Sequence, residues 1–326
     1  MDRPRVFIAR SVPKKVEEFI AKYCDYEKWN FEEDISEEEL VKNLKDMDGL
    51  LISGTQINDR ILEQSPKLKV VSDISVGYDN FDLNAMRKRK VIGTNTPFVL
   101  NETVSDLVIA LILSTARRVT ELDSYVKEGK WNKDIGSELF GTDVNHSTLG
   151  IIGMGRIGEC VARKAKFGFD MDVLYYNRNR RLDVEDKLGV RYADFDCLLR
   201  NSDFISVMVP YNRKTYHMID YREFGMMKRS AIFINTSRGK TINEKALIDA
   251  LSSRKILAAG LDVYDTEPIN FKNPLLKMTN VITLPHVGSA TSKTRFNMAM
   301  LAAENLVKAV LGSTVPNVVP ELKDLV

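Results

Sequence analysis

The stretch Gly153-Met154-Gly155-Arg156-Ile157-Gly158 follows the apolar run Leu149-Gly150-Ile151-Ile152 and precedes a helical pattern whose apolar face includes Ile157, Val161 and Ala165. No other feature of the chain narrows its fold as far. Each glycine has a task in such a turn: Gly153 makes the tight bend, Gly155 lets the backbone approach a pyrophosphate, and Gly158 lets helix lie on strand. The helix start then offers amide donors and the positive end of its dipole to phosphate groups. Glycine turns are common, so the motif alone is weak. Strand, loop and helix in this order make it a candidate dinucleotide site.

The rest of the chain repeats the same grammar. Short apolar runs alternate with helix-period segments from Val6 to Val71, and a second series runs from Leu149 to Leu284 through Val173–Tyr176, Ile205–Val209, Ala231–Ile234, Leu257–Val263 and Val281–Leu284. Such alternation predicts βα units and parallel sheets. The fold class expected is α/β, with two doubly wound parallel-sheet domains: a Rossmann-type nucleotide domain over residues 100–290, and a flavodoxin-like substrate domain over 1–99 completed by 291–326. A helix is predicted over Asn101–Arg118, with Asn101 as its N-cap, and another over Thr291–Leu311 that returns the chain to the first unit.

The second strand of the nucleotide unit ends in Tyr176-Asn177-Arg178-Asn179-Arg180-Arg181. A site specific for NAD would place a carboxylate about twenty residues beyond the glycine loop, on the ribose 2′-hydroxyl. Guanidinium groups there instead hold a 2′-phosphate through charge-assisted, paired hydrogen bonds. NADP(H) is therefore the preferred cofactor and NAD(H) the alternative. This local positive charge stands out because 47 Lys and Arg against 45 Asp and Glu leave a net charge of only +2. That balance argues against a nucleic-acid partner, and the basic run Arg87–Lys90 reads as solvated surface. The opening MDRPRVFIAR is no signal peptide and Leu107–Leu113 is too short to span a bilayer, so no membrane partner and a cytoplasmic location are expected. Cys24, Cys160 and Cys197 are odd in number and widely spaced, and suggest neither a disulfide framework nor a metal site. Cys160 reads as a small buried hydrophobe, and Trp29 and Trp131 as packing residues.

Three further segments end strand-like runs: Asn235-Thr236-Ser237-Arg238-Gly239, Asp262-Val263-Tyr264-Asp265-Thr266-Glu267-Pro268 and Pro285-His286-Val287-Gly288-Ser289-Ala290-Thr291. In doubly wound sheets, ligands gather at the carboxyl ends of strands. Together with Ser75-Val76-Gly77-Tyr78-Asp79-Asn80, these segments resemble the D-isomer-specific 2-hydroxyacid dehydrogenase family over nearly the whole chain. The likeness is nearest to glyoxylate/hydroxypyruvate reductases and 2-ketogluconate reductases. It implies Arg238, Glu267 and His286 as catalytic residues, the backbone of Val76 and Gly77 as a carboxylate-binding turn, and Ser289 beside the substrate. It further implies that Thr103, Arg156, Ile157, Pro210, Thr236, Asp262 and Gly288 line the cofactor, alongside the glycine loop and Asn177-Arg178-Asn179. A homodimer is implied too, with the neighbourhood of Trp131 at its interface.

The residue types suit the implied reduction of a 2-keto acid to a D-2-hydroxy acid. Negative charge grows on the keto oxygen as hydride reaches the carbonyl carbon, and His286 is suited to supply the proton there near neutral pH. Glu267 on the other ring nitrogen would fix the tautomer and stabilise the imidazolium. Arg238 offers a planar fork for the substrate carboxylate and a charge for the keto oxygen. No metal is required. The other two histidines, His146 and His217, read as surface or packing residues. Two rival readings share the fold. One is a nucleotide-sensing corepressor-type protein, which would bind cofactor without turnover. The other is an NAD-dependent phosphoglycerate-type dehydrogenase, against which Asn177-Arg178 and the short C-terminal stretch speak.

Overall fold

The computed structural model describes residues 3–31 and 33–326. The chain divides into two compact units, Met1–Leu100 with Ala290–Val326, and Asn101–Ser289. Each carries one sheet whose strands are all parallel, as an α/β alternation requires.

In the first unit, β1 (Arg5–Ile8), β2 (Asp25–Lys28), β3 (Gly49–Ile52), β4 (Val70–Asp73) and β5 (Ile92–Thr94) lie in the order β2-β1-β3-β4-β5, the flavodoxin-like arrangement. The helix Ser292–Val310, capped by Thr291 Oγ1 on the Thr294 amide at 3.2 Å, buries Met298, Ala302 and Leu306 in this unit. Ser72 Oγ in β4 donates to Ala302 O at 2.7 Å. Beyond the helix, an antiparallel bridge joins Val318 to Thr94, so the C-terminal stretch covers the free edge of β5. The basic turn contributes to this closure. Arg87 pairs with Asp324 and the Glu321 carbonyl, and Arg89 with Asp59, so these two arginines fasten segments together rather than only meeting solvent.

In the second unit, β6 (Thr148–Ile152), β7 (Asp172–Tyr176), β8 (Arg191–Tyr192), β9 (Phe204–Val207), β10 (Ile232–Asn235), β11 (Ala258–Leu261) and β12 (Val281–Thr283) lie in the order β12-β11-β10-β9-β6-β7-β8. Successive residues of a strand face opposite sides. Ile151, Phe204 and Ile234 join Val108, Leu111, Val161 and Ala165 in one core layer, while Ile152, Ile205 and Phe233 join Leu198, Phe224, Leu247 and Leu251 in the other. Both faces being covered, the central strands of this sheet read as nearly unbroken apolar runs.

Three local expectations need correction. The helix spans Asn101–Ala116, and Asn101 Oδ1 is buried with no hydrogen-bond partner among the described residues, so its side chain does not cap. Cys160 is half-buried, its thiol 3.6 Å from Glu102 Oε1, because it faces the charged seam where Arg163 and Lys164 also meet Glu102. Trp131 is 63% exposed, so most of its surface lies outside the core. Trp29 is half-buried over Phe31, with its ring centroid 4.6 Å away. Among the described residues, no helix is long and apolar enough to cross a membrane.

Candidate active site

The parallel order of the second sheet brings the ends of β6, β7, β9, β10, β11 and β12 to one edge, and every candidate residue of this unit but Thr103 follows one of those ends. Thr103 lies in the first turn of the helix Asn101–Ala116, whose Val104 neighbours Gly288.

The glycine loop fits a dinucleotide. Gly153 has φ +108°, and a β-carbon on it would lie 2.8 Å from the Met208 backbone. One on Gly158 would lie 2.3 Å from Gly153 O. Gly155 differs: a β-carbon there would meet nothing within 4 Å, so the space over the loop is open. Gly155 is also the N-cap of the helix Arg156–Phe169 and has no side chain to occupy the first-turn amides.

At the end of β7, the arginine run resolves into different jobs. Arg180 makes a two-pronged pair with Glu185, at 2.8 and 2.7 Å. Arg181 does the same with Asp183, at 2.8 and 2.7 Å, and reaches Met154 O at 3.1 Å. Arg178 is exposed and has no charged partner among the described residues, while Asn177 Nδ2 donates to Asn179 O at 2.9 Å and closes the turn. The expected concentration of three arginines is thus one available guanidinium beside two that are neutralised locally.

The catalytic candidates converge. His286 Nδ1 lies 2.6 Å from Glu267 Oε2, which leaves Nε2 as the nitrogen open to a substrate. Glu267 Oε1 accepts from Tyr264 N at 3.0 Å. Burial raises the Glu267 carboxyl, but the hydrogen bond and charge of His286, the Tyr264 amide and the charge of Arg238 outweigh it and hold the group below the usual carboxylate range. His286 sits in left-handed backbone, φ +53°, and its neighbours on both sides are tied down. Asp262, 1% exposed, accepts Val287 N and Gly288 N, one on each oxygen at 2.8 Å. Burial pushes its carboxyl above the usual range despite those two bonds. Tyr264 Oη donates to Leu284 O at 2.9 Å, and burial lifts that phenol to about 12, so it remains a donor throughout the working range of pH.

Arg238 follows β10 in a loop organised by Asn235, whose Nδ2 donates to Arg238 O at 3.1 Å and whose Oδ1 accepts from Ser237 N and Oγ. Thr241 Oγ1 donates to the same carbonyl at 2.7 Å. A β-carbon on Gly239 would fall 1.8 Å from the Tyr264 carbonyl carbon and oxygen, so the Arg238 loop rests directly on the segment carrying Glu267. Thr236 Oγ1 lies 3.7 Å from Met208 Sδ, and Pro210 O accepts from Thr215 Oγ1 at 2.7 Å. Sequence reasoning assigned no role to Asn235, Gly239 or Tyr264. Their only signal was position: each stands within a few residues of a catalytic candidate at a strand end. His217 stacks on Tyr216 at 3.9 Å and His146 is exposed, and neither joins the site.

Val76 and Gly77 follow β4 in the first unit. Asn95 Nδ2 donates to Val76 O at 2.8 Å, and Thr96 N to Ser75 O at 2.7 Å.

A glycine-loop nucleotide fold carrying a histidine paired to a glutamate, with the two backbone amides that follow the histidine held by an aspartate, defines a dinucleotide-dependent oxidoreductase. Residues 109–288 match the model of the D-isomer specific 2-hydroxyacid dehydrogenase NAD-binding domain, and the chain belongs to that family. It is 50% identical over 272 residues to glyoxylate/hydroxypyruvate reductase B of Escherichia fergusonii, covering 83% of this chain and 84% of that one. To the protein of the same name from Escherichia coli K12 it is 49% identical, covering 85% and 86%. Among solved structures it is similar to a glyoxylate reductase from Paecilomyes thermophila, with TM-score 0.90, 29% identity and coverage of 99% and 100%. It is also similar to an NADPH-dependent glyoxylate/hydroxypyruvate reductase from Sinorhizobium meliloti solved with NADP and malonate, with TM-score 0.89, 29% identity and coverage of 98% of each chain.

Proposed function

We propose that this protein is an NADPH-preferring reductase of small 2-keto acids, with glyoxylate and hydroxypyruvate as first substrates and 2-ketogluconate next, yielding D-2-hydroxy acids. The observation that carries the reading is the Glu267–His286 contact at 2.6 Å with Arg238 close enough for its charge to act on Glu267. The similarity to reductases named for these substrates supports the choice among keto acids. A nicotinamide dinucleotide over the glycine loop would supply hydride to the carbonyl carbon.

The remaining work falls to the chain. Arg238 holds the substrate carboxylate and draws charge toward the keto oxygen. The backbone of Val76 and Gly77 serves as a carboxylate-binding turn, and Ser289 lies beside the substrate. Protonated His286 gives its Nε2 proton to the developing alkoxide, and Glu267 balances the imidazolium and keeps Nδ1–H directed at itself. In the reverse direction His286 takes the proton back. Residues 1–99 and 291–326 form the substrate domain, and 100–290 the nucleotide domain, where Thr103, Arg156, Ile157, Pro210, Thr236, Asp262 and Gly288 line the cofactor. Arg178, exposed and without a counter-charge among the described residues, takes the 2′-phosphate.

A homodimer is part of the reading. It is supported by six large apolar side chains between residues 119 and 167 that stand at least half exposed, among them Trp131, Ile135 and Phe140. A reducing cytoplasmic location agrees with three free cysteines.

The test is a matrix of NADPH and NADH against glyoxylate, hydroxypyruvate, 2-ketogluconate and pyruvate. The reading expects the highest kcat/KM with NADPH and glyoxylate or hydroxypyruvate. Tight NADPH binding with no turnover of any keto acid would instead make the chain a nucleotide sensor.

A further inference from the structure

The proposed carboxylate turn presents two backbone donors, and a backbone donor has no side chain to aim it. In a trans peptide the C=O and N–H point in opposite directions, so the direction of each N–H is set by whatever holds the carbonyl of the same peptide. The Val76 N–H shares its peptide with Ser75 O, and the Gly77 N–H shares its peptide with Val76 O. Both carbonyls are held by the exit of β5: Ser75 O by the Thr96 amide at 2.7 Å, and Val76 O by Asn95 Nδ2 at 2.8 Å.

Asn95 is itself fixed from the far end of the chain. Its amide donates to Asn317 O at 3.2 Å, and its carbonyl accepts from Asn305 Nδ2 at 3.1 Å. Asn317 Nδ2 donates to Asn305 Oδ1 at 3.1 Å, which orients the Asn305 amide. Asn305 is 0% exposed and Asn95 7%. Burying amides gains little over apolar packing unless their hydrogen bonds set a geometry, because each must be satisfied merely to offset its desolvation. What this chain of amides sets is the plane of the Val76–Gly77 peptide.

We propose that Asn95, held by Asn305 and Asn317, is a positioning residue for the substrate carboxylate: through the Val76 carbonyl it aims the amide of Gly77, so affinity for the keto acid depends on the C-terminal stretch. The proposal rests on Val76 and Gly77 being the carboxylate turn.

Steady-state kinetics and melting temperatures of Asn95→Ala, Asn317→Ala and Ser72→Ala test it. Ser72 is an equally buried polar group that ties β4 to Ala302 and accepts from Thr94 Oγ1, but it touches neither turn peptide. The expected result is a rise of about tenfold in the KM for glyoxylate in Asn95→Ala and about threefold in Asn317→Ala, with kcat and the KM for NADPH within about twofold of wild type. Ser72→Ala should lower the melting temperature without moving the KM for glyoxylate. The partly exposed Asn317 carries the test if Asn95→Ala does not fold. An unchanged KM in the asparagine variants, or an equal rise in Ser72→Ala, overturns the proposal. Gly77→Pro, which deletes one donor outright, separates the two layers: if it raises the KM while the asparagine variants do not, positioning fails and the turn stands, whereas if it too leaves the KM unchanged, the carboxylate turn itself fails.

Discussion

Glu267 Oε2 stands 2.6 Å from His286 Nδ1, and the other Glu267 oxygen is held by the Tyr264 amide, so the carboxylate cannot turn away from the ring. The pair makes the glutamate's charge part of the proton donor. Glu267→Gln keeps the shape and removes the charge, and should lower kcat for keto-acid reduction by about 10²-fold, within the range of a positioned acid–base contribution. The KM for NADPH should stay within about twofold. Unaltered kcat would show that the charge is idle.

Among the described residues Arg178 is the arginine of its run without a carboxylate partner, whereas Arg180 is engaged by Glu185. Arg178→Ala should therefore raise the KM for NADPH by tenfold or more, as expected for losing a charge-assisted bond to phosphate, and leave the KM for NADH within about twofold. Arg180→Ala should leave the ratio of the two cofactors nearly unchanged. Equal losses for NADPH and NADH in Arg178→Ala would remove it from the phosphate site.

Glu185 offers a prediction about acid stability. Hydrogen bonds from Arg180 and Tyr175 hold its carboxyl down at about 2, against an ordinary value of 4.5. A carboxyl depressed in the folded state contributes stability that is complete above the unfolded value and is lost as pH falls toward the folded one. The melting temperature of Glu185→Gln should lie below that of wild type at pH 7, and the gap should close as pH falls below about 4.5 toward 2. A gap independent of pH would mean that packing rather than charge is responsible.

Gly239 has no room for a side chain, its β-carbon position being 1.8 Å from the Tyr264 backbone. Gly239→Ala must separate the Arg238 loop from the segment that carries Glu267. It should reduce kcat/KM for the keto acid by at least about 10²-fold through misplaced catalytic groups. Binding of NADPH at the glycine loop, which is remote in sequence, should persist. Near-wild-type kcat/KM would show that the loop contact is not needed for catalysis.

Central strands were legible in the sequence because both their faces are buried. Leu149–Ile152 differs from β6 by one residue, and Val173–Tyr176 differs from β7 by one. The edges were not. Asp25-Tyr26-Glu27-Lys28 and Arg191-Tyr192 carry no apolar run because they lie at the outer edges of their sheets, where charge discourages further pairing. In the site, Arg238, Glu267 and His286 were recognisable because the strand-end segments that carry them resemble the family's motifs, and their residue types suit the chemistry. Asn95, Asn235 and Gly239 were opaque, since their work is done on backbone groups contributed by residues near and far along the chain, and only the folded geometry reveals the partner. The arginine run misled for a related reason: composition counts charges, but Glu185 and Asp183 decide which remain available.

The central claim is that His286 delivers the proton to a keto acid reduced by NADPH. NADPH oxidation in the presence of glyoxylate, measured for wild type and His286→Ala at saturating concentrations, tests it directly, with the Kd for NADPH determined in parallel by fluorescence. Turnover by the wild type, a decrease of at least about 10²-fold in His286→Ala and an NADPH Kd within about twofold are the expected results. Undiminished turnover in His286→Ala would contradict the account.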